Sequence, residues 1–310
     1  MTRLIQRCTF LLLAAALLLC AARVPLRTPD VPAETGGTVY VYNGYAAKTD
    51  AAFDAALLDR AAYRFQHLYD LYFAGRTVYL AVVPDKALFT QPPEDYVPAG
   101  AAETADYLCA ALDFLTPVDI AGGLTLADYY RTDPHWRQEQ LRPTAAALLA
   151  AMGAPVPDTE EDVLHALEGE FHGAYWGKTP EPLEPDTLAY LTNDVLDDCT
   201  VHRYETDTDG GIYDLTAAQD APYDLFLSGS RSLLRIDSPK ALSDRTLVVF
   251  RDSFGSSLIP LLAESYRTIY AVDIRYLSSD LLGRFVDFPA DADVLLLYST
   301  TVLHNSITLK

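Results

Sequence analysis

The chain is poor in positive charge. It has 23 lysines and arginines against 43 aspartates and glutamates, which gives a formal net charge of −20 at pH 7. A surface of this sign repels phosphate backbones, so the composition excludes nucleic acid as a natural partner. The acidic balance by itself indicates only a well-solvated surface.

Cysteine is scarce as well, with 4 in the whole chain. Cys8 and Cys20 belong to an apolar N-terminal segment, and Cys109 and Cys199 lie far apart in the body. Two isolated cysteines do not make a metal site, which needs clustered ligands, and we expect neither a metal nor a cofactor. In an exported protein this pair could form a disulfide, and the sequence leaves that open.

Long apolar runs are also missing, except at the N-terminus. Arg3 and Arg7 precede the apolar stretch 8–22, which Arg23 closes. This layout is typical of a secretory signal, and an uncleaved anchor is the alternative. We therefore predict a signal peptide or membrane anchor over 1–23 and a Pro/Gly-containing linker over 24–38. The basic residues before the run predict a body outside the cytoplasm, either secreted or anchored to the membrane.

Residues 39–310 are long enough for a sizeable core, and their periodicity predicts an α/β domain. We interpret 154–215, whose first half is rich in Pro, Gly and acidic residues, as an insertion or small subdomain. The pattern predicts helices over 53–72, 102–115, 139–152 (with Pro143 in its first turn) and 162–167, and strands over 39–42, 77–83 and 118–120.

The last hundred residues carry the clearest pattern. Strands over 246–250, 268–272 and 294–298 alternate with helices over 256–266 and 279–285, which predicts a parallel sheet with right-handed crossovers. Ligands of such sheets bind at the carboxyl ends of the strands. Ser253 is expected there, just after a strand and before a helix.

Two short segments supply the parts for acyl transfer through a serine. Asp133 comes two residues before His135 in YYRTDPHW, and Ser253 lies in FRDSFG. A carboxylate can hold the imidazole in one tautomer, and the imidazole can activate the serine hydroxyl. Each residue also has a structural interpretation, because serine is a common helix N-cap and most histidines are structural. His67 and His165 fall within predicted helices, and we expect none of the five histidines other than His135 to be catalytic. We expect Trp136 in the core.

The flanking segments resemble a known family. The stretches YYRTDPHW (129–136), FHGAYWGKT (171–179), YDLFLSGSRSLLRI (223–236) and RDSFGSSLIPLL followed by IYAVDIR (251–275) resemble the DHHW proteins of Gram-positive bacteria. These are relatives of the SGNH-hydrolase-like alginate O-acetyltransferases, and the resemblance spans about 39–298. The family's first histidine is Pro134 here, its asparagine after glycine is Ser230, and the glycine of the SGNH hydrolases' GDS block is Arg251.

The resemblance implies an SGNH-like central parallel sheet flanked by helices, with Asp133, His135 and Ser253 as a triad. In other SGNH hydrolases the Asp/His pair follows the serine, so the order is circularly permuted here. The resemblance also implies O-acetyl transfer to a cell-wall glycan or exopolysaccharide, with a membrane-bound O-acyltransferase as acetyl donor. The alternatives are an acetylesterase with the same triad and a non-catalytic carbohydrate-binding or assembly protein.

Overall fold

The structure is a computed structural model that describes residues 36–310. The predicted export segment 1–23 and most of the linker lie outside the described residues. The strands are β1 Val39–Tyr42, β2 Tyr45–Lys48, β3 Val78–Val83, β4 Leu115–Pro117, β5 Val163–Ala166, β6 Ala189–Thr192, β7 Thr200–Arg203, β8 Thr208–Gly210, β9 Leu233–Asp237, β10 Thr246–Arg251, β11 Thr268–Val272 and β12 Asp293–Ser299. The α-helices are α1 Ala55–Tyr72, α2 Ala101–Ala111, α3 Arg142–Ala151, α4 Ala217–Asp220, α5 Gly255–Leu262 and α6 Thr300–Leu303. Short 3₁₀ turns cover Lys86–Phe89, Leu126–Asp128, Gln138–Gln140, Pro222–Leu225, Ser279–Arg284 and Ser306–Thr308.

A central sheet of eight strands organises the molecule, in the order β4-β3-β12-β10-β11-β9-β7-β8. The strands from β4 to β11 run parallel, whereas β9, β7 and β8 are joined by antiparallel pairings. The predicted mixed α/β fold with a largely parallel sheet is therefore confirmed. Strands β3, β10, β11 and β12 are mostly apolar because helices cover both faces of the sheet.

Alternate residues of β10 pack into two separate hydrophobic cores, one on each face of the sheet. Leu247 and Val249 pack on the face covered by α3 and α5, and Val248 and Phe250 pack on the face covered by α1 and α2. The two-residue period of a strand produces this division. The result is a three-layer arrangement in which the carboxyl ends of β10 and β12 lie side by side.

Several local predictions were wrong. Residues 162–167 are not helical, because Val163–Ala166 forms a strand that pairs with Ala189–Thr192. The short strand expected at 118–120 lies earlier, at Leu115–Pro117, where it pairs with β3. The helix expected over 279–285 is a 3₁₀ turn. Pro143 does lie in the first turn of α3, as predicted.

Candidate active site

Ser253 lies in a tight turn between β10 and α5. The strand ends at Arg251 and the helix begins at Gly255, so the serine is placed where a parallel strand meets a helix N-terminus. Asp252, which is fully buried, fixes this turn. Its carboxylate accepts hydrogen bonds from the Phe254 N–H at 3.0 Å and from the Ser299 N–H at 2.7 Å. The end of β10 is thereby tied to the end of β12.

The structure brings the three predicted residues into one hydrogen-bonded chain. His135 Nε2 lies 2.8 Å from Ser253 Oγ, and His135 Nδ1 lies 2.6 Å from Asp133 Oδ1. Asp133 also accepts from the His135 N–H at 3.0 Å and from the Ala174 N–H at 2.9 Å. Burial pushes the pKa of Asp133 up, but the adjacent His135 and these hydrogen bonds bring it below its ordinary value. The carboxylate is thus ionised at neutral pH and can orient the imidazole.

Aromatic rings fix the imidazole from the sides. The Tyr223 ring stacks on the His135 ring with centroids 4.0 Å apart, and the Phe254 ring lies 4.8 Å away. Trp136 is fully buried, and its Nε1–H donates to the Phe254 carbonyl at 3.0 Å. The indole therefore belongs to the core, as expected, and links the histidine segment to the serine turn.

Two charged side chains hold the loop that carries Asp133. One donates hydrogen bonds to backbone carbonyls of the loop, and the other accepts them from its backbone N–H groups. The buried ammonium of Lys86 donates to the carbonyls of Tyr130 and Asp133, each at 2.8 Å. The carboxylate of Asp186 accepts from the N–H groups of Arg131 at 2.8 Å and Thr132 at 2.7 Å, and from the Thr132 hydroxyl at 2.6 Å. Burial lowers the pKa of Lys86 to about 8. No local sequence signal marked Lys86 or Asp186, because each acts on a segment remote in the chain.

Gly173 allows a second segment to touch this loop closely. A Cβ at this position would lie 2.3 Å from the Asp133 Cβ and 2.6 Å from the Thr132 carbonyl oxygen. The contact lets the Gly173 N–H donate to the Thr132 hydroxyl at 3.0 Å, beside the Ala174–Asp133 bond. The sequence reasoning missed this glycine's role, although it lies within one of the segments that carried the resemblance.

A strained turn is hydrogen-bonded to Arg251, two residues before Ser253. Leu227, Ser228 and Gly229 have consecutive φ values of 56°, 60° and 75°, in the left-handed region that non-glycine residues avoid. Three arginines hold the turn: Arg203 Nε donates to the Ser228 hydroxyl at 2.8 Å, Arg231 Nε to the Ser228 carbonyl at 3.1 Å, and Arg251 Nη2 to the Gly229 carbonyl at 3.4 Å. Backbone strain held in this way is typical of functional segments.

The departures from the family pattern have definite structural places. Arg251, at the glycine position of the GDS block, is fully buried and donates to the Ser256 hydroxyl at 2.9 Å. Ser230, at the asparagine position, is exposed. Pro134 lies between the two hydrogen-bonded residues Asp133 and His135, whose pairing is intact.

Other candidate features lie elsewhere. The remaining histidines bond to partners away from the triad, for example His67 to Asp280 at 2.8 Å and His304 to Thr104 at 3.0 Å. Among residues 36–310 no cluster of His, Cys, Asp and Glu could hold a metal ion. No helix within the same range is long and apolar enough to cross a bilayer. Cys109 and Cys199 are free thiols, so the disulfide that the sequence left open is not formed.

The serine at a strand–helix turn, opposite an Asp/His pair on a largely parallel sheet, places the molecule among the SGNH-hydrolase-like α/β folds. Solved structures agree with this class. A DHHW family protein from Eubacterium siraeum is similar with a TM-score of 0.69 and 21% identity, over 90% of this chain and 96% of that one. Bacillus cereus PatB1 is similar with a TM-score of 0.66 and 15% identity, over 86% of this chain and 97% of that one.

A further similar structure is the O-acetyltransferase domain of Pseudomonas putida AlgJ, with a TM-score of 0.51 and 15% identity, over 87% of this chain and 93% of that one. No protein-family model matches the sequence, and no curated protein does. At these identities the similarity establishes the fold. The predicted resemblance to the DHHW proteins is confirmed at that level.

Proposed function

We propose that this protein is an O-acyl transferase that uses Ser253, His135 and Asp133 to move an acetyl group onto a hydroxyl of a cell-wall glycan or exopolysaccharide. The observation that carries the proposal is the continuous hydrogen-bonded chain of 2.8 Å from Ser253 to His135 and 2.6 Å from His135 to Asp133. An isolated N-cap serine or a structural histidine would not need this arrangement.

The geometry supports a two-step reaction. Ser253 Oγ attacks the acyl carbon of the donor while His135 Nε2 takes the hydroxyl proton, and the donor's leaving oxygen departs with that proton. The acyl group is then an ester of Ser253. His135 next removes the proton of the acceptor hydroxyl, whose oxygen attacks the ester and regenerates the serine. Asp133 keeps Nδ1 protonated and stabilises the imidazolium in both steps.

The negative oxygen of each tetrahedral intermediate needs hydrogen-bond donors to stabilise it. The N–H groups of Phe254, Gly255 and Ser256, which follow Ser253 in the turn, already bond to Asp252 and Ser253. We therefore assign the Ser253 N–H to this role. With Ser230 in place of asparagine, backbone rather than side-chain donors would carry it.

The shared fold with the O-acetyltransferase domain of AlgJ supports transfer as the reaction. An acetylesterase would use the same triad with water as acceptor, so the residues alone do not separate the two. The proposal also includes a body outside the cytoplasm and a membrane-bound O-acyltransferase as donor. The motivation for the location is Arg3 and Arg7 ahead of the apolar run 8–22, and the membrane-bound donor follows from the resemblance to the DHHW proteins.

The test is hydrolysis of a chromogenic acetyl ester by the wild type and by Ser253→Ala. We expect the variant to fold and to lose at least about a thousandfold in kcat/KM, because it loses only the nucleophile. Ser278→Ala is the matched control, since the Ser278 side chain makes no capping hydrogen bond. A sulfonyl fluoride should label Ser253 in the wild type and Ser278→Ala.

Two outcomes decide between the candidate functions. Equal activity in wild type and Ser253→Ala, with no label on Ser253, would contradict the enzyme hypothesis and favour a carbohydrate-binding protein. With an active wild type, added glycan acceptor should divert acetyl groups from water to glycan in a transferase. An esterase would release only acetate.

A further inference from the structure

An aromatic pair lies on the surface next to the Asp133 loop. The rings of His172 and Trp176 stack with centroids 4.0 Å apart and an interplanar angle of 12°. Trp176 is 37% exposed, whereas the chain's other tryptophan, Trp136, is fully buried. The His172 side chain is 42% exposed. Since each ring covers one face of the other, the exposed area lies on their outer faces and edges.

The segment that carries this pair is fixed to the triad loop. The Ala174 N–H bonds to the Asp133 carboxylate at 2.9 Å, and the Tyr175 N–H bonds to the Thr132 carbonyl at 2.8 Å. The Trp176 N–H bonds back to the Gly173 carbonyl at 3.0 Å, which closes the turn. Trp176 is thus held two residues from a direct contact with Asp133. A rigid, preorganised ring of this kind binds a ligand at little entropic cost.

A cleft of about 540 Å³ lies between segments 166–171 and 215–222, and Glu170, which lines it, is hydrogen-bonded to His172. This volume lies in the ordinary range of small-molecule sites. Both walls are continuous in sequence with segments that contact the triad. On one wall Phe171 precedes His172 and Gly173, and on the other Pro222 precedes Tyr223, whose ring stacks on His135. The cleft and the pair therefore adjoin the segments that border the candidate active site.

The charged groups that line the cleft are acidic. Glu168 and Glu170 line the cleft, and Glu170 Oε2 accepts from His172 Nε2 at 3.1 Å. Carboxylates accept hydrogen bonds from hydroxyl groups and repel other carboxylates and phosphates. The net charge of −20 extends the same repulsion over the whole molecule. Flat apolar rings next to such acceptors suit the C–H face and hydroxyl groups of a sugar ring.

We propose that the His172–Trp176 pair and the adjoining cleft bind the acceptor as an uncharged polysaccharide, built of hexose or N-acetylhexosamine units, and exclude polyuronates and phosphate-linked polymers. The assignment rests on the proposed function for its position in the reaction. The binding itself does not depend on turnover.

The test measures binding in the Ser253→Ala protein, where no transfer takes place. Calorimetry with cellohexaose and chitohexaose is compared with hexaguluronate at the same concentration and low salt. We expect saturable binding of at least one neutral hexasaccharide, with a change in tryptophan fluorescence, and at least tenfold weaker binding of the uronate. Adding Trp176→Ala should weaken neutral binding at least tenfold, and Trp176→Phe should restore part of it.

Tyr63→Ala is the matched control, because Tyr63 is another exposed aromatic, at 67% exposure, on α1. It should leave both hexasaccharide binding and ester hydrolysis unchanged. Failure of every neutral hexasaccharide to bind, equal binding of the uronate, or full binding by Trp176→Ala would overturn the proposal. If a neutral hexasaccharide binds but the wild type hydrolyses no ester, the proposed reaction is wrong and the proposed sugar site is supported. If the wild type hydrolyses the ester but no hexasaccharide binds, the proposed sugar site is wrong and the proposed reaction is supported.

Discussion

Asp133 acts through His135, and its replacement separates orientation from folding. Asp133→Asn keeps the size of the side chain but can stabilise the wrong imidazole tautomer and no longer balances the imidazolium. We expect kcat for the acetyl ester to fall by about 10³- to 10⁴-fold while the thermal midpoint changes little. Steady-state kinetics and thermal melting check this. Wild-type activity in Asp133→Asn would remove the residue from the triad.

Gly173 is expected to matter more than its size suggests. In Gly173→Ala the new methyl group would overlap Asp133, so the segment must move away and the Ala174–Asp133 hydrogen bond must break. We expect at least a tenfold loss of kcat/KM and a loss of about 1–3 kcal/mol in the free energy of unfolding.

Gly123→Ala is the control for this substitution, because a Cβ there meets nothing within 4 Å. Kinetics and denaturant unfolding of the two variants should differ clearly. Equal behaviour would mean that the close approach at Gly173 does not position Asp133.

Among the elements, the 3₁₀ turn Lys86–Phe89 should make stability depend on pH. Its N-cap, Asp85, accepts from the Ala87 N–H at 2.7 Å, and burial raises its pKa from 3.8 to about 6. Between these values the folded state binds more protons than the unfolded state, so stability falls as pH rises through this window. The loss should level off above pH about 6, where Asp85 is ionised in both states.

Asp85→Asn keeps an acceptor for the Ala87 N–H and removes the titration. We expect denaturant unfolding from pH 4 to 7 to show a flatter stability profile in this variant, by roughly 3 kcal/mol across the window. Identical slopes in the two proteins would assign the pH dependence to other groups.

Some elements of the fold could be predicted from the sequence and others could not. The β10–α5–β11 unit was predictable because its strands are apolar runs and its helix follows a serine-containing turn. Val163–Ala166 was predicted helical because four residues carry too little periodicity, and its partner β6 lies more than twenty residues away. Strand β9 had no predicted role, because its antiparallel pairing with β11 depends on tertiary contacts rather than on the local sequence.

Some residues of the candidate site could likewise be predicted from the sequence, and others could not. Asp133, His135 and Ser253 lie in segments with local patterns and a family resemblance, so they could be named in advance. Lys86 and Asp186 could not, because their only signal is a hydrogen bond to a backbone 44 to 55 residues away in sequence. A glycine such as Gly173 looks like any turn glycine until the segment opposite it is known.

For the molecule as a whole, the two body cysteines report on the integrity of the fold. Burial raises the pKa of Cys199 to about 11 and raises that of the half-buried Cys109 as well. Both thiols are therefore protonated at neutral pH. We expect iodoacetamide to modify Cys109 slowly in the native protein and Cys199 only after unfolding, as mapped by peptide mass spectrometry. A peptide in which the two are disulfide-linked would contradict the structure.

The position of β12 affects how the chain can fold as it is made. This strand, Asp293–Ser299, lies between β3 and β10 in the sheet, yet it is the last of the sheet's eight strands in sequence order. Until it arrives, β3 and β4 have no neighbour that joins them to β10 and β11, so the sheet stays in two parts. Strand pairing at such long sequence separation is slow. A nascent chain would therefore keep its sheet in two parts until residues 293–299 have been made, and loss of residues 291–310 would leave two exposed strand edges.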